Sequence, residues 1–185
     1  MHPCFFGYGS LVNRATHTYT QASRARLSGW RRKWVFGTGR SPAILSVVAD
    51  TDTMIEGLIA EVPNADWAAL DLRETGYARI ASDVVQHPRD PATQISHYAV
   101  PSDTWVPLSD NFILMSYLDV VVQGYLAEYG AAGVADFFAT TDGWDTPVLN
   151  DRAAAQYPRS QTLTAQETAL VDQNLALRGT PIIMA

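Results

Sequence analysis

The chain has 185 residues, enough to bury a substantial core, and its 47% hydrophobic and 17% charged content excludes intrinsic disorder. A net charge of −6 argues against nucleic acid or an anionic membrane as the main partner, and the single cysteine, Cys4, excludes an intrachain disulfide and a cysteine-rich zinc site. With no basic leader and no apolar run of membrane-spanning length, a cytoplasmic protein folded as one domain over residues 1–185 is expected.

In chain order, Cys4-Phe5-Phe6 reads as a short buried strand entering a glycine-rich turn, Gly7-Tyr8-Gly9-Ser10-Leu11. Glycines let several backbone N–H groups converge on one small anionic or carbonyl group, so this loop is either a plain turn or a ligand cradle. Leu27 to Phe36 is a tryptophan-containing strand ended by Gly37-Thr38-Gly39. Around it crowd Arg24, Arg26, Arg31, Arg32, Lys33 and Arg40, either the solvated face of a strand pair or a positive field for an acidic substrate. Ala43 to Ala49 is a strand buried on both faces, Asp50-Thr51-Asp52 a turn, and Met54 to Val62 the return arm of a hairpin.

Pro63-Asn64 then offers an N-cap for a helix whose Trp67 and Leu70 share a face and whose stop is Gly76. Tyr77 to His87 and Thr93 to Val100 form a second strand pair, joined through Pro88 to Pro91. From about residue 110 helices dominate. Leu114, Tyr117, Leu118, Val121, Val122 and Tyr125 recur at helical spacing, with Gly130 closing that helix. Thr164 with Glu167 forms a capping box that opens a helix to about Leu177. Strands first and helices later predict an α+β domain.

Glu74 stands out among the side chains that do chemistry. It falls at the end of a predicted helix, where the negative end of the macrodipole disfavours an ionised carboxylate, and Trp67 and Leu70 would add desolvation. Arg73, if turned the same way, would oppose both. A carboxylate with a raised pKa takes and returns a proton near neutral pH; the plain alternative is a solvated glutamate. For Tyr117, in an apolar stripe, core packing and a phenolic hydrogen bond to a ligand are both open.

Other constellations are weaker. Cys4 reads as a buried, inert thiol, and His2, His17, His87 and His97 lack ligand spacing, so no metal site is expected. Gly37-x-Gly39 is too short for a dinucleotide fingerprint. Ser10 lacks a Gly-x-Ser-x-Gly elbow and is read as a hydroxyl that binds or caps. The polar, aromatic segment from Thr141 to Arg159 is either a surface loop with ordinary ion pairs or a lid that brings Arg152 or Arg159 near a substrate carboxylate.

Two of these segments carry a resemblance. Phe6-Gly7-Tyr8-Gly9-Ser10-Leu11 resembles the signature loop of the γ-glutamylcyclotransferase-like superfamily, and its Tyr-Gly-Ser-Leu form resembles the ChaC-type, glutathione-degrading branch. Leu70-Asp71-Leu72-Arg73-Glu74 resembles that branch's Leu-Asp-x-Arg-Glu element, whose glutamate is catalytic. Gly57 in Ile55-Glu56-Gly57-Leu58 matches the strand that usually precedes the helix, and Ser116-Tyr117-Leu118 resembles a segment whose tyrosine contacts substrate. One departure is the spacing of Glu74-Thr75-Gly76-Tyr77. Many ChaC-type chains carry one more residue there, which bears on substrate choice more than on reaction type.

The resemblance implies a strongly curved mixed β-sheet or barrel flanked by helices, no cofactor and no metal, and a small γ-glutamyl substrate with glutathione first. In the implied reaction, the free α-amine attacks the γ-carbonyl and closes a five-membered ring, releasing 5-oxoproline and an amine. Glu74 is then the general acid/base, the backbone of Tyr8, Gly9, Ser10 and Leu11 holds the γ-glutamyl group, and Tyr117 supplies a hydrogen bond. Two other readings stand beside it: a non-catalytic module that binds γ-glutamyl ligands, and a cyclotransferase for γ-glutamyl-amines.

Overall fold

In the computed structural model, which describes residues 2–37, 42–106 and 111–185, the first apolar run forms β1 (Cys4–Gly7), buried along its length. Phe6 joins the larger core, and Phe5 a smaller one with Leu11, Val62 and Leu70, so the run shows no polar alternation. β2 (Ser23–Val35) and β3 (Ile44–Glu61) pair antiparallel over most of their length. Thr38, Gly39 and Arg40 lie outside the described residues.

The expected hairpin at Asp50-Thr51-Asp52 does not form. β3 runs straight through it, and the polar run is a bulge: Ser28 pairs with Met54 and Trp30 with Ala49, leaving Gly29 alone opposite the intervening residues. The turn chemistry is present but local, since Asp50 accepts hydrogen bonds from the Asp52 N–H at 3.2 Å and the Thr53 hydroxyl at 2.7 Å. Gly29 takes the kink at φ +78°.

Helix α1 (Ala68–Arg73) is shorter than expected, because Pro63–Ala65 makes a separate turn and Glu74 is already its C-cap. The expected strand over Tyr77 to His87 divides into β4 (Ala78–Ser82) and β5 (Val85–Gln86). β4 pairs antiparallel with β6 (Ile95–Ala99), whereas β5 pairs with β2. β7 (Ile113–Leu114) leads straight into α2 (Met115–Ala139). Gly130 does not close this helix; at φ +70° it makes a break, after which the helix resumes. α2 is buried around much of its circumference, so its sequence lacks a clean polar face.

β8 (Thr141–Asp142) pairs parallel with β2, and β9 (Val148–Asn150) follows. α3 (Ala165–Arg178) carries the expected capping box, with the Glu167 N–H donating to Thr164 Oγ1 at 3.2 Å and the Thr164 N–H to Glu167 Oε2 at 2.6 Å. β10 (Ile182–Met184) ends the chain. The main sheet has the order β4-β6-β1-β3-β2-β5 with β8 beside β2, mixes parallel and antiparallel pairs, and curls into a half-barrel. β10-β9-β7 forms a small parallel sheet. The α+β fold with a curved mixed sheet is thus the one expected. Among the described residues no helix is long and apolar enough to cross a membrane.

Candidate active site

The site forms where β1 passes into its glycine loop. The Tyr8 carbonyl accepts hydrogen bonds from Arg32 Nε at 3.3 Å and the Tyr125 hydroxyl at 2.9 Å, which fixes the loop at its start. Its end is pinned to α2: the Asn13 side-chain amide donates to the Val120 carbonyl and to Gln123 Oε1, both at 3.0 Å. Gly124 permits this contact, since a Cβ there would lie 2.7 Å from the Asn13 nitrogen. Between the anchors runs the turn Ser10–Val12. The Gly9 and Leu11 N–H groups find no protein acceptor among the described residues, and both residues line a cavity.

Glu74 faces the loop from the end of α1. Its N–H donates to the Leu70 carbonyl at 2.9 Å, and Leu70 is buried beside Phe5 and Leu11, so apolar packing sets the position of the carboxylate. The chain then turns tightly, with the Tyr77 N–H donating to the Glu74 carbonyl at 2.9 Å across Gly76 at φ +92°. The short spacing from Glu74 to Tyr77 is that turn, and it sends both side chains to the same cavity wall. Tyr77 donates its hydroxyl proton to the Leu45 carbonyl at 2.9 Å.

Two adjoining cavities share Ser10, Leu45, Glu74, Tyr77 and Tyr117. The inner one, about 30 Å³, is closed by the segment from Phe6 to Leu11 and by Tyr98. The outer one, about 220 Å³, is bounded by Ile44, Arg73, Leu114, Tyr157 and Arg159. Glu74 is the one carboxylate among the described residues that lines either cavity. The expected site residues therefore converge, Ser10, Glu74 and Tyr117 at the junction and Tyr8, Gly9 and Leu11 on the inner side.

Burial pushes the Glu74 carboxyl up from its ordinary pKa, and the positive charges of Arg73 and Arg159 pull part of the way back. Arg73 does turn toward it, with Nε 3.4 Å from Glu74 Oε1. The same guanidinium also braces the loop, donating to the Thr16 carbonyl at 3.0 Å and to Ser10 Oγ at 3.2 Å. Burial, reinforced by the Glu74 charge, holds the Tyr8 and Tyr117 phenols well above their ordinary range, so both keep their protons at neutral pH. Tyr8 donates to the Tyr98 carbonyl at 2.6 Å. Tyr117 stands over Gly9, where a Cβ would lie 2.6 Å from its hydroxyl.

Among the described residues of the basic stretch around β2, none lines this site. Arg24, Arg26 and Arg31 pair at the surface with Glu128, Glu56 and Asp142, and Arg32 is buried under the loop. Among the described residues, the positive charge at the cavity comes from Arg73 and Arg159. Arg152 is excluded from it, because Asp119 and Asp172 hold its guanidinium at 2.7 and 2.8 Å. Sequence reasoning passed over Leu45, which carries no distinguishing signal, and Tyr77, which lay inside the Glu74 segment. Cys4 is buried with its thiol pushed up by burial. Among the described residues no cluster of His, Cys, Asp or Glu could hold a metal ion.

The model of the ChaC-like protein family matches residues 4–110, which span the glycine loop, β3 and the Glu74 turn. The chain belongs to the ChaC-like family. No curated protein matches its sequence significantly. In fold, the ChaC-like chain is similar to a γ-glutamyl cyclotransferase of known structure at a TM-score of 0.58 and 14% identity, over 94% of this chain and 99% of that one. An uncharacterized protein from Homo sapiens superposes at 0.56 with 15% identity, over 91% of this chain and 97% of its own. YkqA from Bacillus subtilis superposes at 0.55 with 16% identity, over 77% of this chain and 56% of its own. The expectation of an enzyme of the γ-glutamyl cyclotransferase type agrees with this ChaC-like membership.

Proposed function

We propose that this ChaC-like enzyme releases 5-oxoproline from γ-glutamyl peptides, glutathione being the leading donor, by intramolecular cyclisation with Glu74 as general acid/base. The observation that carries the reading is the placement of Glu74, among the described residues the one carboxylate at the junction of the two cavities, largely buried and with its pKa raised. The γ-glutamyl group curls at the junction of the two cavities, against the glycine loop, and the leaving amine lies toward the mouth of the outer one. Glu74 takes a proton from the α-ammonium, freeing the nitrogen lone pair to attack the γ-carbonyl carbon. As the new C–N bond forms and the old amide C–N bond breaks, Glu74 returns this proton to the departing nitrogen and takes the second proton from the ring nitrogen, which the released amine then picks up as its ammonium. No water, oxidant or cofactor enters the balance.

The oxyanion that develops during attack needs donors already in place. The unengaged Gly9 and Leu11 N–H groups and the protonated Tyr117 hydroxyl fill that role. The ring-forming curl is a matter of orientation, which the residues shared by the two cavities supply. The test is 5-oxoproline release from glutathione and a panel of γ-glutamyl peptides and amines, wild type beside Glu74→Gln. Turnover in the wild type that falls by about 10²–10⁴-fold in the variant supports the mechanism. Donors that raise the melting temperature but stay uncleaved would make the chain a binding module instead.

A further inference from the structure

The segment between β9 and α3 is built as a rigid bracket, and its end delivers one arginine to the mouth of the outer cavity. Asp151 accepts from the Ser116 N–H at 2.8 Å and the Ser116 hydroxyl at 2.6 Å, so it caps α2, whose own N-cap, Leu114, has no side-chain acceptor. The same carboxylate accepts from the Gln156 N–H at 2.8 Å, and Ser116 Oγ accepts from the Tyr157 N–H at 3.1 Å. Arg152 clamps the start of the segment to Asp119 on α2 and Asp172 on α3. The Tyr157 ring stands edge-on to Tyr117 with centroids 5.0 Å apart.

Arg159 follows in a turn closed by the Ser160 N–H donating to the Tyr157 carbonyl at 3.0 Å, with Pro158 fixing φ at the preceding corner. Its backbone is therefore held although its side chain is exposed. The two cations that line the cavity among the described residues differ in employment. The Arg73 guanidinium is spent on Thr16, Ser10 and Glu74, whereas among the described residues no hydrogen bond or ion pair engages the Arg159 guanidinium. Glu74 feels the Arg159 charge, so that charge reaches into the cavity. An unneutralised guanidinium on a fixed turn at the leaving-group side is suited to a carboxylate.

We propose that Arg159 is a specificity-determining residue that reads a carboxylate on the leaving amine, so that the enzyme prefers γ-glutamyl peptides ending in a free carboxylate over γ-glutamyl-amines and peptide amides. This rests on the cyclotransferase reading and on the γ-glutamyl group sitting at the junction of the two cavities. The test compares glutathione with its C-terminal amide, two donors that differ by one charge at the leaving end. Wild-type kcat/KM is expected to favour the acid by about tenfold, the size of one charge-assisted hydrogen bond at a partly exposed site. Arg159→Gln is expected to bring the acid-to-amide ratio near one, and Arg159→Lys to recover part of it. Raising ionic strength should lower the wild-type ratio and leave that of Arg159→Gln unmoved.

A wild-type ratio of one, or a ratio that survives Arg159→Gln, overturns the inference while leaving the cyclotransferase reading intact. Absence of 5-oxoproline from both donors overturns the reading and the inference with it.

Discussion

Arg73 and Glu74 adjoin in the chain, and their side chains approach to 3.4 Å, yet burial rather than this pairing sets the direction in which the carboxyl titrates. The Arg73 guanidinium donates its hydrogen bonds to Thr16 and Ser10 and faces Glu74 only as an ion pair, so its charge offsets the cost of burying the carboxylate only in part. A group whose folded pKa lies above its unfolded value contributes stability below the unfolded pKa and loses it as pH rises through the folded one. Ionised Glu74 therefore costs stability at neutral pH. Glu74→Gln should melt above wild type at pH 7, and the gap should close as pH falls below the carboxylate range. A thermal melt series from pH 7 to about 4 reads this directly; a variant that melts lower at pH 7 would mean that the ion pair wins.

The same balance sets the acid limb of the activity profile. Arg159 lowers the Glu74 pKa, so Arg159→Gln should move the acid limb of kcat/KM to higher pH. A limb that stays in place would put the Arg159 charge out of reach of the carboxylate.

Gly9 carries a contact that no other residue allows. A Cβ there would lie 2.6 Å from the Tyr117 hydroxyl, and Tyr117 is hemmed in by Trp34 and Tyr157 at ring-centroid distances of 5.9 and 5.0 Å. A side chain at Gly9 therefore pushes on the Tyr117 hydroxyl. Gly9→Ala should lower kcat/KM by about 10²-fold, the scale of a misplacement of about 1 Å, with a smaller effect on the melting temperature. Unchanged kinetics would remove Tyr117 from the reacting geometry.

The glycine loop and the Glu74 turn were legible in the sequence because each is local: a short apolar run, glycines at a close approach, a carboxylate at a helix end. The capping box of Thr164 and Glu167 was legible for the same reason. What was not legible depends on contacts far apart in the chain. Asp50 and Thr53 make their turn hydrogen bonds, but the long ladder with β2 keeps the strand continuous, so local turn chemistry yields a bulge. Gly130 likewise breaks α2 without ending it, since Val134, Phe137 and Phe138 beyond it are buried in the core. Arg152 and Arg159 looked alike in sequence, and only the positions of Asp119 and Asp172 separate the clamp from the cavity arginine.

His97, on β6, is 1% exposed, stands 4.6 Å from the Trp30 ring, and has both ring nitrogens buried with no hydrogen-bond partner among the described residues. Burial lowers its pKa from 6.5 to about 4, so the folded state holds it neutral. Between those values the unfolded chain takes up the proton first, and stability falls as pH drops from about 6.5 toward 4, by about 3 kcal/mol in all. His97→Phe should flatten this part of the stability curve in urea unfolding at pH 7, 6 and 5. A curve as steep as wild type would assign the acid sensitivity to other groups.

Arg32 is 0% exposed and makes no ion pair among the described residues; its guanidinium donates to the Tyr8 and Glu56 carbonyls, Thr140 Oγ1 and the Tyr125 hydroxyl. The Tyr125 and Phe137 rings add cation–π contacts at 4.9 and 5.3 Å. A buried charge held by neutral acceptors depends on reaching all of them at once, which the planar fork of arginine does and a single ammonium cannot. Arg32→Lys keeps the charge and loses most of the contacts, whereas Arg32→Met loses the contacts together with the desolvation penalty. The Tyr125 hydroxyl, with its one proton, still reaches either the Tyr8 or the Glu56 carbonyl, which limits the cost of Arg32→Met. Arg32→Lys should therefore be the less stable of the two, by about 1–3 kcal/mol in denaturant melts. Both should lose activity through the Tyr8 carbonyl, where Arg32 fixes the start of the glycine loop. If Arg32→Lys proves the more stable, the net charge at this position matters more than the fork.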